Sequence, residues 1–218
     1  MWLRDIHLLV SLPPGVTCIG WAILFNRPEM ASVTFCFSTA LFYLAPFFRL
    51  LTKTCGRPRA ADKNSFISLM KKGEPMAIIP GGFSEATISS SKANRVFLRN
   101  RIGFVKYALE YGYALTPCYI FHENELYFNI QGAWRFRHWL NSFGIPAVLP
   151  FGRWWCLFLP RNDRLNIVIG KVLTFPRINN PTREQVAEYH QRYVTELVEL
   201  FDRHKAAHGQ AQCTLEIW

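Results

Sequence analysis

Acidic side chains are scarce in this chain: Asp and Glu number 15 against 25 Lys and Arg in 218 residues, a formal net charge of +10 at pH 7. An excess of that sign favours an anionic partner, whether nucleic acid, a membrane surface or a phosphorylated small molecule, and does not choose among them. Charge of either sign is also low, 18% of residues, while half are apolar and 15% aromatic, which excludes intrinsic disorder. The six cysteines (Cys18, Cys36, Cys55, Cys118, Cys156, Cys213) include no CxxC pair and are too dispersed for a compact zinc site, so they read as reduced thiols and no metal is expected. None of Ser84, Ser89, Ser90 or Ser91 lies in a Gly-x-Ser-x-Gly context, which sets aside a hydrolase-type nucleophile. There is no internal repeat, no low-complexity segment and no recognised RNA or DNA motif, so nucleic acid is not an expected partner. The start, Met1-Trp2-Leu3-Arg4-Asp5, is a poor n-region and Pro13-Pro14 interrupts the apolar run behind it, so a cleaved secretory signal is not expected.

What is present is unevenly spread. Residues 57–110 hold ten basic and four acidic groups, whereas the segments on either side are close to neutral. Ile6 to Asn26 and Met30 to Phe48 carry no charge at all, and each is about long enough to cross a bilayer, which takes roughly 17–25 apolar residues. Pro13, Pro14, Gly15 and Gly20 interrupt the first and Pro46 the second, so both read equally well as buried elements. We therefore divide the chain into an apolar, membrane-associated part of the fold, 1–56, and an α/β unit, 57–218.

Within 57–218 the periodicities are clearer. Asp62 to Lys72 sets Phe66, Leu69 and Met70 on one helical face, with Gly73 as the stop. Met76 to Ile79 is a short buried strand opening into a Pro80-Gly81-Gly82 loop; Gly103 to Tyr111 is a helix closed by Gly112, and Ala114 to Phe121 the next strand, together a βαβ crossover. Leu126–Ile130 and Leu165–Ile169 read as further strands. Between them, the aromatic stretch containing Trp134, Phe136, Trp139, Phe143, Phe151, Trp154, Trp155 and Phe158 reads either as core and loop packing or as an interfacial surface. Thr182 opens a long amphipathic helix, with Gln185 completing a capping box. The fold class is α/β with a mixed, mostly parallel central sheet flanked by helices.

Chemistry concentrates at two places. Pro80-Gly81-Gly82-Phe83-Ser84-Glu85 lets backbone approach a ligand after a strand and offers one carboxylate, and Phe121-His122-Glu123-Asn124 ends the next strand on the same sheet edge, where open α/β sheets hold ligands. Lys92, Arg95, Arg99, Arg101 and Lys106 run from a loop to a helix start, either as a solvated basic face or as an anion site built from guanidinium and backbone N–H donors. His204 and His208, four apart, read as a solvated helix end rather than a metal pair.

Arg99-x-Arg101-x-Gly103-Phe104-x-Lys106, Gly112-x-x-Leu115-x-Pro117 and Phe121-x-Glu123-Asn124-x-x-Tyr127 resemble the signature of the type 2 diacylglycerol acyltransferase family, which includes monoacylglycerol and wax-ester acyltransferases. Gly81-Gly82-x-x-Glu85, Phe151-Gly152-Arg153, Tyr189-His190-x-x-Tyr193 and Leu200-Phe201-Asp202-x-His204-Lys205 follow the same pattern in the same order. The resemblance implies an endoplasmic-reticulum membrane enzyme, facing the cytosol, that moves a fatty acyl group from acyl-coenzyme A to diacylglycerol or a similar lipid hydroxyl. It implies no cofactor beyond the acyl-CoA co-substrate, contact with membrane lipids, and leaves self-association open. By the same resemblance Glu85 and Glu123 are the candidate catalytic groups, and Gly81, Gly82, Arg99, Arg101, Lys106 and Asn124 the candidate substrate-binding ones, the cations toward the phosphates of coenzyme A.

Two stretches depart from the pattern. The family's histidine-proline-histidine-glycine motif is matched by Leu12-Pro13-Pro14-Gly15, so Pro14 replaces the expected general base, and the hairpin that precedes the motif in the family has no counterpart in the eleven residues before it. His122 stands where the family has glycine. A different start, a catalytically silent acyl-CoA or lipid binder, and another base such as His7 or His122 are the readings left open.

Overall fold

A computed structural model describes residues 7–12, 34–37, 57–60, 62–129, 132–142, 150–152, 161 and 165–218. Their elements in chain order are β1 (His7–Leu12), β2 (Thr34–Phe37), β3 (Arg57–Ala60), α1 (Lys63–Lys71), β4 (Met76–Ile78), α2 (Gly82–Ile88), β5 (Asn94–Val96), α3 (Gly103–Tyr111), β6 (Ala114–Phe121), β7 (Phe128–Asn129), α4 (Trp134–Ser142), β8 (Pro150–Phe151), β9 (Asn166–Ile169), α5 (Arg183–His204) and β10 (Leu215–Ile217). Six strands form one sheet in the order β3-β2-β4-β1-β6-β9. The first five pair in parallel and β9 closes the edge antiparallel to β6.

Both uncharged runs of the N-terminal part contribute strands to this sheet, β1 from the first and β2 from the second. Among the described residues, no helix is long and apolar enough to cross a membrane. The crossover from β4 to β6 is parallel but not between neighbours, because β1 lies between them, pairing Leu8 with Met76 on one side and Leu115 on the other. It also holds more than one helix: Gly82–Ile88, expected as loop, is α2, and β5 follows it.

Local signals set the helix ends. Asp62 caps α1 by accepting from the Ser65 N–H at 3.0 Å, and Phe66, Leu69 and Met70 are buried as the spacing requires. Thr182 and Gln185 form the reciprocal capping box of α5. Its face Val186, His190, Tyr193, Leu197, Leu200 and Phe201 is buried, and α5 packs against β6 and α3. Burying each large apolar side chain there contributes about 1.5–3 kcal/mol, which places the core between α3, α5 and the β6 side of the sheet.

Gly112 ends α3 at φ +74°, where its N–H bonds the Ala108 carbonyl. An alanine at this left-handed C-cap is expected to lower stability by about 1 kcal/mol, read as a shift in urea midpoint at unchanged slope. An unshifted midpoint would show that the α3 end adopts another conformation.

Two expectations are shortened or replaced. The strand expected over Leu126–Ile130 is only Phe128–Asn129, because Glu123–Glu125 winds into a 3₁₀ turn first. Part of the aromatic stretch is helix α4, where Phe136 and Trp139, 58% and 55% exposed, stack with ring centroids 5.8 Å apart. Phe143, Trp154, Trp155 and Phe158 lie outside the described residues.

Candidate functional site

Parallel pairing brings the carboxyl ends of β4, β1 and β6 to one edge of the sheet. After β4 the chain passes through Pro80 and Gly81 into α2, and after β6 it turns at His122 into the 3₁₀ turn. β1 ends between them, with Leu12 opposite Tyr119. Pro14, the position of the absent histidine, lies outside the described residues.

Glu85 sits in the first turn of α2 and is completely buried. Its Oε2 accepts from the Phe97 N–H at 3.1 Å, while Oε1 has no partner among the described residues. Burial pushes the carboxyl up to about 8, against the smaller opposing pull of the Phe97 hydrogen bond and the Arg101 charge. Gly81 is required by this arrangement, since a Cβ there would run into the Glu85 carboxyl. Gly82 takes φ +55° to start the helix directly behind the strand loop.

Glu123, at the end of β6, is 3% exposed, and neither of its oxygens has a partner among the described residues. Burial, and then the neighbouring Glu85 charge, hold it well above the carboxylate range. The two acids expected from separate loops thus come within electrostatic reach, Glu85 raised to about 8 by burial and Glu123 raised by burial and by Glu85. A neutral carboxyl is a hydrogen-bond donor, able to polarise a carbonyl or stabilise an oxyanion.

A polar chain runs beside the pair without bonding either acid, ending on Glu125. The Tyr119 hydroxyl donates to Asn94 Oδ1 at 3.1 Å; the Asn94 amide donates to Gln210 Oε1 at 3.1 Å, and the Gln210 amide to Glu125 Oε1 at 3.2 Å. Burial and the surrounding carboxyls push the Tyr119 phenol far up. Asn124, expected to bind substrate, uses its amide nitrogen on the Ser90 carbonyl at 3.1 Å and Asn94 Oδ1 at 3.3 Å, and so ties the loop before β5 to the β6 turn. His122 occupies the left-handed region at φ +66°, which explains glycine in the family pattern, and its ring Nδ1 lies 3.1 Å from Glu125 Oε1, with no bond to Glu123.

The cations are less gathered than their spacing implies. Arg101, exposed, donates to Ser84 Oγ at 3.3 Å and lies over the Phe97 ring, which brings it beside Glu85. Arg99 donates to the Ile217 carbonyl, and Lys106 pairs with Glu110 one turn along α3.

Two further polar side chains, neither assigned a role from the sequence, are buried near the site. Asn129 donates to the carbonyls of Ala86, Thr87 and Ser89 at the end of α2 and accepts from the buried Arg137 at 3.0 Å, fixing the helix that carries Glu85. His190 is buried against Phe104, hydrogen-bonded to the Leu98 backbone, and burial lowers its pKa so that it stays neutral. A lone Asn in a two-residue strand carries no spacing signal, whereas His190 stands in the Tyr189-His190-x-x-Tyr193 pattern without an assigned role. Among the described residues, no three His, Cys, Asp or Glu side chains are placed to hold a metal.

The family model described as diacylglycerol acyltransferase matches residues 22–217. The chain is 30% identical over 223 residues to human acyl-CoA wax alcohol acyltransferase 2, covering 93% of this chain and 67% of that protein. It is 31% identical over 229 residues to mouse diacylglycerol O-acyltransferase 2-like protein 6, with the same coverage. Bovine diacylglycerol O-acyltransferase 2 is 36% identical over 149 residues, 63% of this chain and 41% of that relative, so the chain spans only part of each relative's length. No solved structure matches.

Proposed function

The chain belongs to the diacylglycerol acyltransferase family, and on that premise we propose that it transfers a fatty acyl group from acyl-coenzyme A to a lipid hydroxyl, with diacylglycerol as the acceptor. The observation that carries the reading is the Glu85–Glu123 pair, two buried, proton-holding acids at the carboxyl edge of the parallel sheet with Arg101 beside them. In the transfer the acceptor oxygen attacks the thioester carbon, the C–O bond forms, the C–S bond breaks, and the hydroxyl proton ends on the departing sulfur, so that coenzyme A leaves as the thiol. Glu85, held protonated by its burial, donates toward the oxyanion that develops on the thioester carbonyl. Arg99, Arg101 and Lys106 take the phosphates of coenzyme A, a role for which forked and flexible cations are suited. No cofactor is needed besides the co-substrate. Residues 1–56 carry membrane contact, and the site faces the cytosol at the endoplasmic reticulum.

A second reading, a silent acyl-CoA or lipid binder, is favoured by Pro14 at the base position and by a His122 ring bonded to Glu125 rather than turned to the acids. The two are separated by acyl transfer from labelled oleoyl-CoA to diacylglycerol in membranes of acyltransferase-deficient cells expressing this chain or its Pro14→His variant. General-base removal loses about 10²- to 10⁴-fold, so the variant is expected to exceed the unmodified chain by at least about 100-fold. Equal turnover by both would mean that another group takes the proton. Product from neither, with both folded and binding acyl-CoA, would replace the transfer reading by the binding one.

A further inference from the structure

The basic segment has a partner within the chain itself. β10 pairs in parallel with β5, Leu215 beside Asn94 and Ile217 beside Val96, and its end supplies acceptors to the residues that follow. The Leu98 and Arg99 N–H groups both donate to the Trp218 carbonyl oxygen, at 2.9 and 2.7 Å. The Arg99 guanidinium donates to the Ile217 carbonyl at 3.1 Å. Arg95 is bonded to the Glu216 carboxylate at 2.8 Å and lies over the Trp218 ring at 5.2 Å, while the indole N–H donates to the same carboxylate.

Two consecutive backbone N–H groups converging on one oxygen, flanked by guanidinium groups, form an anion-binding nest. A phosphate oxygen would make the same contacts. Immediately before the nest, the Phe97 N–H is spent on Glu85, and after it Arg101 reaches back to Ser84. The nest therefore sits beside the acid pair, with one of its three arginines neutralised by Glu216 and a second satisfied by backbone carbonyl.

We propose that residues 95–101 form a phosphate site whose occupant here is the chain's own strand β10 with Trp218, a strap that must leave before the phosphate of a donor can enter. The inference rests on the assignment of Arg99 and Arg101 to the donor's phosphates and adds regulation to that site. The strap competes by placing carbonyl oxygens, a carboxylate and an indole ring on the donors a phosphate would use. Its pairing is short and lies in a separate two-stranded sheet, with Leu215 and Ile217 partly buried against the core.

Isothermal titration with adenosine 3′,5′-bisphosphate, and with inorganic pyrophosphate, tests this on the full chain, on a variant lacking 215–218, and on Glu216→Ala/Trp218→Ala. The truncated form is expected to bind about tenfold more tightly than the full chain and the double variant about threefold. An amidated peptide of residues 213–218 is expected to compete with the probe on the truncated form. If the truncation fails to fold, the double variant, which keeps strand β10, decides alone. Affinities within twofold of the full chain, with binding still lost in Arg101→Ala, would overturn the strap and leave the phosphate assignment standing. No binding by any form would overturn both.

Discussion

Glu85→Gln is expected to make the protein more stable at pH 8.5 while leaving it within about 1 kcal/mol of the unmodified chain at pH 5. The carboxyl moves from an ordinary 4.5 to about 8 on folding, because burial removes its hydration. A group raised in this way contributes its full stability below its unfolded value and loses it as pH rises through the folded one. The unmodified chain should therefore weaken steadily between about pH 4.5 and pH 8, by on the order of a few kcal/mol from this group, since each unit is about 1.4 kcal/mol. Glutamine keeps an oxygen for the Phe97 N–H and cannot ionise, so that slope flattens and the variant gains about 2–4 kcal/mol at pH 8.5. Glu123→Gln shifts stability in the same direction, because its carboxyl too is raised by burial and by Glu85. Urea unfolding at the two pH values reads both variants. A flat profile in the unmodified chain, with no gain in either variant, would sink the account of a buried, proton-holding pair.

Phe201→Ala is expected to lower stability by about 3–5 kcal/mol, the loss typical of a large buried ring whose cavity cannot collapse. Phe201 is fully buried on α5, stacked on Phe121 at 5.4 Å with planes 17° apart and edge-on to Tyr119 at 5.1 Å. Tyr119 belongs to the polar chain that ends on Glu125 in the same turn as Glu123, and Phe121 precedes that turn. The cavity should therefore also loosen the site, so turnover or probe affinity is expected to fall below what the unfolded fraction explains. A loss under about 1 kcal/mol would mean that the ring is not the contact between α5 and β6 described above.

The parts of this fold that were legible in the sequence are those whose signals are local. Asp62, Gly112 and the Thr182–Gln185 pair each mark a helix end by their own chemistry, and the structure puts all of them at helix caps. The fully buried strand Ala114–Phe121 was readable from its apolar run between turn signals. Uncharged runs are ambiguous, and β1 and β2 became strands only because partners supplied their ladders from residues 57–119. Two glycines and a short run hid α2, since seven residues give periodicity little to act on. Glu85 and Glu123 could be placed on one sheet edge by parallel topology. The rise that Glu85 imposes on Glu123 could not, nor could the use of Arg99 on Ile217, which pairs residues 118 apart in sequence.

The position of β1 has a consequence for how the chain is made. Its six residues, His7–Leu12, sit in the sheet between β4 and β6, so both ladders wait for partners that end at Ile78 and Phe121. At a synthesis rate of roughly 5–20 residues per second, the apolar strand emerges and remains without its second neighbour for on the order of ten seconds. Parallel pairings of such separation are slow to close once available. During that interval His-Leu-Leu-Val-Ser-Leu is an unpaired, uncharged edge, the kind of segment that chaperones hold and that otherwise joins its copies on neighbouring nascent chains.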